Sequence, residues 1–292
     1  RGVPMRSAGA IWIAPLFALA PPSPAPGEAW LDVLEVGNGL AVVVRTAGHA
    51  LVYDTGPSWT AESDSGNRIV VPFLRGEGIA IDGVVVTHAD DDHSGGARSI
   101  AHARPLAWLL TSLPPDHELH QAFATSRRCE SGDHWEWDGV TFTALHPAAS
   151  IYAETTKRKE NDRGCVFRIA TAAASILLTA DVESRGEMEM LKRDAASLRS
   201  TLILVPHHGS KTSSTPAFLD AVAPRIAIAS VGYRNRFHHP NEAVVARYAV
   251  RGIEFHRTDR EGAIHITLPA RSSESIRIEG YAQMRVRYWS ER

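Results

Sequence analysis

A mixed α/β fold is the expectation for this chain, and three observations carry it. Short apolar runs recur along its length, helix-like stretches interleave with them, and hairpin-like pairs crowd the region after a proline-rich segment. The runs 30–36, 40–45, 49–53, 83–87, 140–145, 165–170, 175–178, 202–205, 226–230 and 263–268 read as strands. Several are apolar throughout, as expected for strands covered on both faces. The stretches 95–102, 183–192, 216–222 and 241–248 read as helices. The early hairpins are too many for a simple doubly wound parallel sheet.

The 292 residues suffice for one large domain or two smaller ones, each with a proper core. Apolar residues make up 44% and charged residues 22%, an ordinary globular balance that argues against a disordered chain. A formal net charge of −2 gives no broadly basic surface for nucleic acid. Any DNA contact needs a local basic patch or a metal. Cys129 and Cys165 fit no C-x-x-C pattern. In a reducing compartment they are two buried thiols; in an oxidising one they can form a disulfide.

Arg1 and Arg6 precede an apolar run, 8–20, that contains Pro15 and is too short for an ordinary membrane span. It reads as a signal peptide or as the last piece of a membrane region, and both place the rest of the chain outside the cytoplasm. PPSPAPG at 21–27 reads as a semi-rigid linker. The expected organisation is a membrane-proximal or signal-like segment with linker at 1–27, a folded domain at 28–270 and a C-terminal extension at 271–292. The polar stretch 154–163 reads as a solvated loop, and Trp135 and Trp137 as alternating core residues.

The strongest chemical signal is THADDDHSGG at 87–96, directly after an apolar strand. It places His88, Asp90, Asp92 and His93 in one short loop, and imidazole with carboxylate is the donor chemistry of hydrolytic Zn²⁺ or Mn²⁺ sites. Ser94, Gly95 and Gly96 let the backbone pack closely and open a helix. Two further apolar strands end the same way, one in Asp181 and the other in His207 and His208. Ligands just past the C-terminal ends of buried strands converge at one sheet edge. Together these stretches offer about six nitrogen and oxygen donors, enough for two metals with Asp181 placed to bridge them.

These motifs resemble the metallo-β-lactamase superfamily. More narrowly, VVVTHADDDHSGG, LLTAD, VPHHGSKTSS, VGYRNRFHHP and RTDREGA resemble the C-terminal domain of ComEC-type competence proteins, and LVYDTGP and VVPFLRGEGI fit as well. The likeness covers about 30–268. It implies an αββα sandwich of two mixed sheets flanked by helices, with two divalent ions, Mn²⁺ or Zn²⁺, held by His88, Asp90, Asp92, His93, Asp181 and His207. His146 is the candidate for a further histidine that the superfamily usually carries. Asp92, His208 and Lys211 are expected in catalysis, with His208 ligating or assisting proton transfer. Asp90 stands where a histidine is usual, which tilts the metal towards Mn²⁺.

The resemblance further implies a nuclease that degrades the non-imported strand of DNA during natural transformation. In it the metals activate water and hold phosphoryl oxygens. Lys211, Arg234, Asn235, Arg236 and His239 are the candidates for holding DNA, expected to be single-stranded. The partner would be the membrane channel region of the same longer chain, at the periplasmic face of the inner membrane, and the isolated domain is expected to be a monomer. The fold alone equally permits a small-molecule hydrolase such as a lactonase or β-lactamase, or a non-catalytic DNA-binding module. Departures from the family pattern are Glu35 and Asn38 in the early D-V-G-Q-G motif, Ala180 in place of glycine before Asp181, and Asn161-Asp162-Arg163-Gly164, which loses a serine.

Overall fold

In the computed structural model, which describes residues 21–154 and 158–284, two β-sheets pack face to face between two layers of helices. The first sheet is built from β1 (Ala29–Val33), β2 (Val42–Arg45), β3 (Ala50–Tyr53), β6 (Gly83–Val86), β7 (Trp108–Thr111), β8 (Thr125–Arg128), β16 (Ile264–Leu268) and β17 (Arg277–Gly280). Their order is β17-β16-β1-β2-β3-β6-β7-β8. The second holds β9 (His134–Trp137), β10 (Val140–His146), β11 (Val166–Ala170), β12 (Ser175–Leu178), β13 (Leu202–Leu204), β14 (Ile226–Ala229) and β15 (Glu254–Arg257), in the order β15-β14-β13-β12-β11-β10-β9. A small hairpin of β4 (Ser58–Thr60) and β5 (Ser63–Asp64) follows β3. The expected four-layer sandwich is what the chain forms.

Alternation along each strand explains the layers. Val42 and Val44 of β2 point into the core between the sheets, while Val43 points to the outer core beneath the helices Val71–Gly76 and Ala97–Ala103. In β13, Leu202 and Leu204 face inward and Ile203 faces the helices Ser184–Asp194, Pro216–Val222 and Glu242–Ala249. Both faces are buried, so these strands are apolar throughout. Trp135 and Trp137 pack against the inner core, Trp135 stacking on Phe142 at a 5.0 Å centroid distance.

Each sheet is antiparallel on one side and parallel on the other. The parallel strands are β3, β6, β7 and β8 in the first sheet and β12 to β15 in the second. Their C-terminal ends meet at one rim, where the sheets are tied. The Tyr53 hydroxyl, at the end of β3, lies 2.6 Å from the carbonyl oxygen of Cys165 and 3.2 Å from that of Leu178, both in the second sheet's half. The Cys165 amide donates to the Thr87 carbonyl at 3.2 Å, and the Ser230 hydroxyl to that of Gly39 at 2.7 Å.

The stretch 154–163 is not a plain solvated loop. The Arg158 guanidinium is buried between Glu154 and Glu189, and Asp162 is buried too, because both serve the helix Ser184–Asp194. Positions 155–157, the apolar run 8–20 and the end of the C-terminal extension, 285–292, lie outside the described residues. Within that extension, Arg277–Gly280 adds an edge strand beside β16. Cys129 and Cys165 are both free, buried thiols. Among the described residues no helix is long and apolar enough to cross a membrane.

Tyr53→Phe removes the hydroxyl that joins the sheets and leaves buried carbonyls short of a donor. It is expected to lower unfolding free energy by about 1–3 kcal/mol, read as a drop in the urea midpoint at unchanged slope.

Candidate metal centre

The site grows from the ends of the parallel strands. After β6 the chain runs through Thr87 to Asp90 and enters a single helical turn, Asp91–Ser94. Gly95 and Gly96 let this turn seat against the 54–58 segment. A Cβ on Gly95 would lie 2.3 Å from the Ser58 nitrogen, and one on Gly96 would lie 2.3 Å from the Thr55 oxygen. Asp181 follows β12, and His207 and His208 follow β13. Asp54, Ala180, His207 and His208 all adopt left-handed backbone, with φ of 56°, 47°, 50° and 53°. That conformation costs a non-glycine residue on the order of 1–2 kcal/mol, and here it gathers around one point.

At that point Asp92, His93, Asp181 and His208 each offer a donor atom, all within 4.8 Å of one another. His93 Nε2 is 3.0 Å from Asp181 Oδ1; His208 Nε2 is 3.4 Å from Asp92 Oδ2 and 3.5 Å from Asp181 Oδ1. The His88 and His93 rings are 4.2 Å apart, and His88 Nε2 is 3.5 Å from Asp90 Oδ2.

Hydrogen bonding on the far side of each ring fixes its tautomer. The Ser230 carbonyl can only accept, so His208 Nδ1 donates to it at 2.8 Å. His93 Nδ1 donates to Asp54 Oδ2 at 2.7 Å. The Thr87 hydroxyl spends its proton on Asp54 at 2.8 Å, so it accepts from His88 Nδ1 at 3.0 Å. All three rings therefore turn Nε2 inward, and these three nitrogens with Asp181 Oδ1 are buried without a hydrogen-bond partner. Buried polar atoms left this way call for a cation. The donor set fits a divalent metal.

A model of the metallo-beta-lactamase superfamily matches residues 34–233. The chain belongs to that superfamily. It is 32% identical to competence protein ComA of Neisseria gonorrhoeae over 293 residues, 100% of this chain and 39% of that protein. It is 35% identical to the Escherichia coli (strain K12) protein YcaI over 247 residues, 85% of this chain and 31% of that one. The chain thus spans about a third of the length of these relatives. Among solved structures, CmlA, a diiron β-hydroxylase from Streptomyces venezuelae, matches with a TM-score of 0.54 at 16% identity, covering 84% of this chain and 55% of that one. That last likeness is one of fold. The similarity to competence protein ComA extends over the whole chain, and the fold is that of metallo-hydrolases with a His/Asp cluster suited to divalent metal.

Electrostatics in the superfamily site follow from burial working against charge. Burial opposes protonation of His93, but the Asp181 and Asp54 carboxylates outweigh it and hold its pKa well above the usual imidazole range. His208 is raised in the same way by Asp181 and Asp92. Burial would raise the Asp181 carboxyl, yet His208 and His93 hold it well below the usual range, and Asp92 is lowered to about 2 against burial by His208 and His93. Asp90, half exposed, is lowered mainly by His88.

The other expected residues divide. His208, rather than His207, completes the four-residue cluster, because the left-handed pair of residues swings the second ring into the rim and the first to its outer side. His207 still faces Asp181, with Nε2 3.6 Å from Oδ2 and Nδ1 3.5 Å from Glu183 Oε1. His146 is not brought into the cluster: its Nε2 is 3.0 Å from the Asp162 carbonyl, so that nitrogen is the donor, and burial lowers the ring's pKa to about 4. Lys211, Arg234, Asn235 and His239 line a cleft beside the cluster, while Arg236 lies over the Phe237 ring. His239 reaches within 6.0 Å of the His207 ring, and burial beside His208 lowers it to about 4. Sequence reading missed Asp54 and Glu183, the carboxylates behind His93 and His207. Asp54 was visible in LVYDTGP as an acid at the end of an apolar strand.

Asp54→Ala frees the His93 ring and removes the carboxylate behind it. Metal affinity is expected to fall about 10- to 100-fold, measured by competition with a chromophoric chelator on protein whose circular dichroism is unchanged. Glu35 lies on the loop whose Leu40 amide donates to the Asp92 carbonyl at 3.0 Å. Burial lifts its pKa from 4.5 to about 7, against the Gly37 amide and Thr258. A raised folded pKa means that stability is fully present below pH 4.5 and is lost as pH rises through 7. Glu35→Gln is expected to escape that loss, leaving it on the order of 1–3 kcal/mol more stable than wild type at pH 8, measured by urea titrations across the pH range.

Proposed function

We propose that this domain is a metal-dependent nuclease that hydrolyses DNA phosphodiesters, degrading the strand that is not imported during natural transformation. It would act at the periplasmic face of the inner membrane as part of a longer chain that includes the channel. The observation that carries the reading is the junction of an oxygen-rich donor set with a cationic cleft. Asp90, Asp92 and Asp181 supply hard carboxylate ligands beside the imidazoles, a set suited to Mn²⁺ as well as Zn²⁺. Lys211, Arg234 and Arg260 line the adjoining cleft, and among the described residues none of them is engaged in an ion pair. Unpaired cations next to a carboxylate-rich centre suit a substrate that brings its own negative charge. The similarity to competence protein ComA supports the same biological setting.

Two divalent ions would supply polarised phosphoryl oxygens and water of lowered pKa. His93 and His208 would hold them through Nε2, with Asp181 between, and His88, Asp90 and His207 on the outer side. Asp54 and Ser230 keep those rings in the required tautomer. Lys211 and Arg234 bind the flanking phosphates and orient the scissile one over the cluster. Asp92, partly exposed at the mouth with its Oδ2 3.4 Å from His208 Nε2, would steer a proton during attack.

Chelator-stripped protein given Mn²⁺ is expected to cleave DNA, and Asp92→Ala and Asp181→Ala to reduce cleavage to background. Stoichiometric binding of two metals with no cleavage of any nucleic acid would sink the proposal. A chromogenic lactone or β-lactam hydrolysed far faster than DNA would replace it with a small-molecule hydrolase.

A further inference from the structure

Among the described residues only six large apolar side chains are exposed: Trp59, Leu106, Met188, Tyr233, Phe237 and Val250. The three aromatic ones stand on segments next to the metal cluster, Trp59 in the β4–β5 hairpin and Tyr233 and Phe237 on a loop. Trp59, 50% exposed, follows Ser58, whose amide and hydroxyl both bond Asp91, the neighbour of Asp92. Tyr233 and Phe237, 64% and 49% exposed, lie on the 232–239 loop after β14. That loop is held from inside by Asn235. Its Nδ2 donates to the Gly232 and His239 carbonyls at 3.1 and 2.7 Å, and its Oδ1 accepts from the His239 amide at 2.9 Å. Phe237 stacks on His239 at 5.8 Å, and His239 in turn approaches His207.

Each aromatic of this loop carries a guanidinium. Arg234 lies 5.1 Å from the Tyr233 ring centroid and Arg236 lies 4.8 Å from that of Phe237. The rings stand outward on a clamped loop, and a base that stacked on them would share or displace the guanidinium beside each. A ring face takes a flat partner, and the adjacent guanidinium takes an anion. A chain of nucleotides offers both at every repeat.

We propose that Trp59, Tyr233 and Phe237 form a stacking platform for unpaired nucleobases, with Arg234, Arg236 and Lys211 on the phosphates, so that the domain selects single-stranded over double-stranded nucleic acid. This rests on the nuclease reading for its substrate class. In a duplex the base faces are already stacked on one another, so only an unpaired strand can use the three rings. The β4–β5 hairpin follows a strand of the first sheet and the 232–239 loop follows one of the second, so a bound strand would cross the cluster between them. Stacking accepts any base, so little sequence preference is expected. With three cations on phosphates, the slope of log affinity against log salt should be only about −2.

Fluorescence anisotropy of a labelled oligothymidylate, against a duplex of equal length, tests this on the metal-stripped chain, where no cleavage can intervene. The wild type is expected to prefer the single strand. Trp59→Ala, Tyr233→Ala and Phe237→Ala should each weaken single-strand binding by about 5- to 150-fold. Tyr233→Phe should retain it, and Leu106→Ala, at the opposite end of the sheet, should not change it. Thermal melting shows whether each variant is folded. Equal affinity for both substrates, or single-strand binding indifferent to the aromatic substitutions, would overturn the platform. A protein that binds single strands through these rings but cuts nothing refutes the nuclease reading alone.

Discussion

A single buried carboxylate, Asp54, organises the first half of the site. It has no access to solvent, and a carboxylate so placed is tolerable only where donors surround it. Three do: the Thr87 amide and hydroxyl, both at 2.8 Å, and His93 Nδ1 at 2.7 Å. Satisfying Asp54 therefore fixes the direction of the chain after β6 and the His93 ring. Through the shared Thr87 hydroxyl it also fixes the proton on His88. The left-handed backbone at Asp54 is the cost of turning this side chain inward from the end of β3. Without that anchor, two of the imidazoles would have no reason to turn Nε2 towards Asp181.

The anchored rings face an excess of negative charge. Against burial, His208 and His93 lower the pKa of Asp181 and of the partly exposed Asp92, and these carboxylates raise those of His93 and His208 in return. A divalent ion binding there competes with protons for the same inward-facing nitrogens and oxygens. On the nuclease proposal, a net charge of −2 is then no obstacle to an anionic substrate. The charge that matters is local, and most of it would arrive with the metal.

Much of the architecture was legible because its central strands are apolar on both faces. All ten strands expected from apolar runs exist, with ends shifted by at most three residues. The strands that escaped notice include all four sheet edges, β8, β9, β15 and β17. An edge strand is half solvated, so sequences such as TSRR and EFHR carry no apolar run to mark them. At the site, residues inside one short loop could be grouped by spacing alone. The choice between His207 and His208 could not, since it depends on two consecutive left-handed residues that no spacing rule anticipates. His146 misled for a related reason. A histidine at a strand end looks alike whether its Nε2 points to a metal or, as here, to the Asp162 carbonyl.

The division of the donors between sheets has a thermodynamic consequence. His88, Asp90, Asp92, His93 and Asp54 come from the first sheet's strand ends, and Asp181, His207 and His208 from those of the second. Neither sheet alone holds a competent centre, so the cluster exists only while the sheets are packed. Tyr53 stands at this joint, one residue before Asp54, with its hydroxyl on the carbonyls of Cys165 and Leu178. The same few residues therefore close the sandwich and align the two half-sites. A ligand that binds only the packed state adds its binding free energy to the stability of that packing. Metal in this site would thus reinforce the sheet–sheet interface that creates it, and the interface sets how much of the metal's intrinsic affinity is realised.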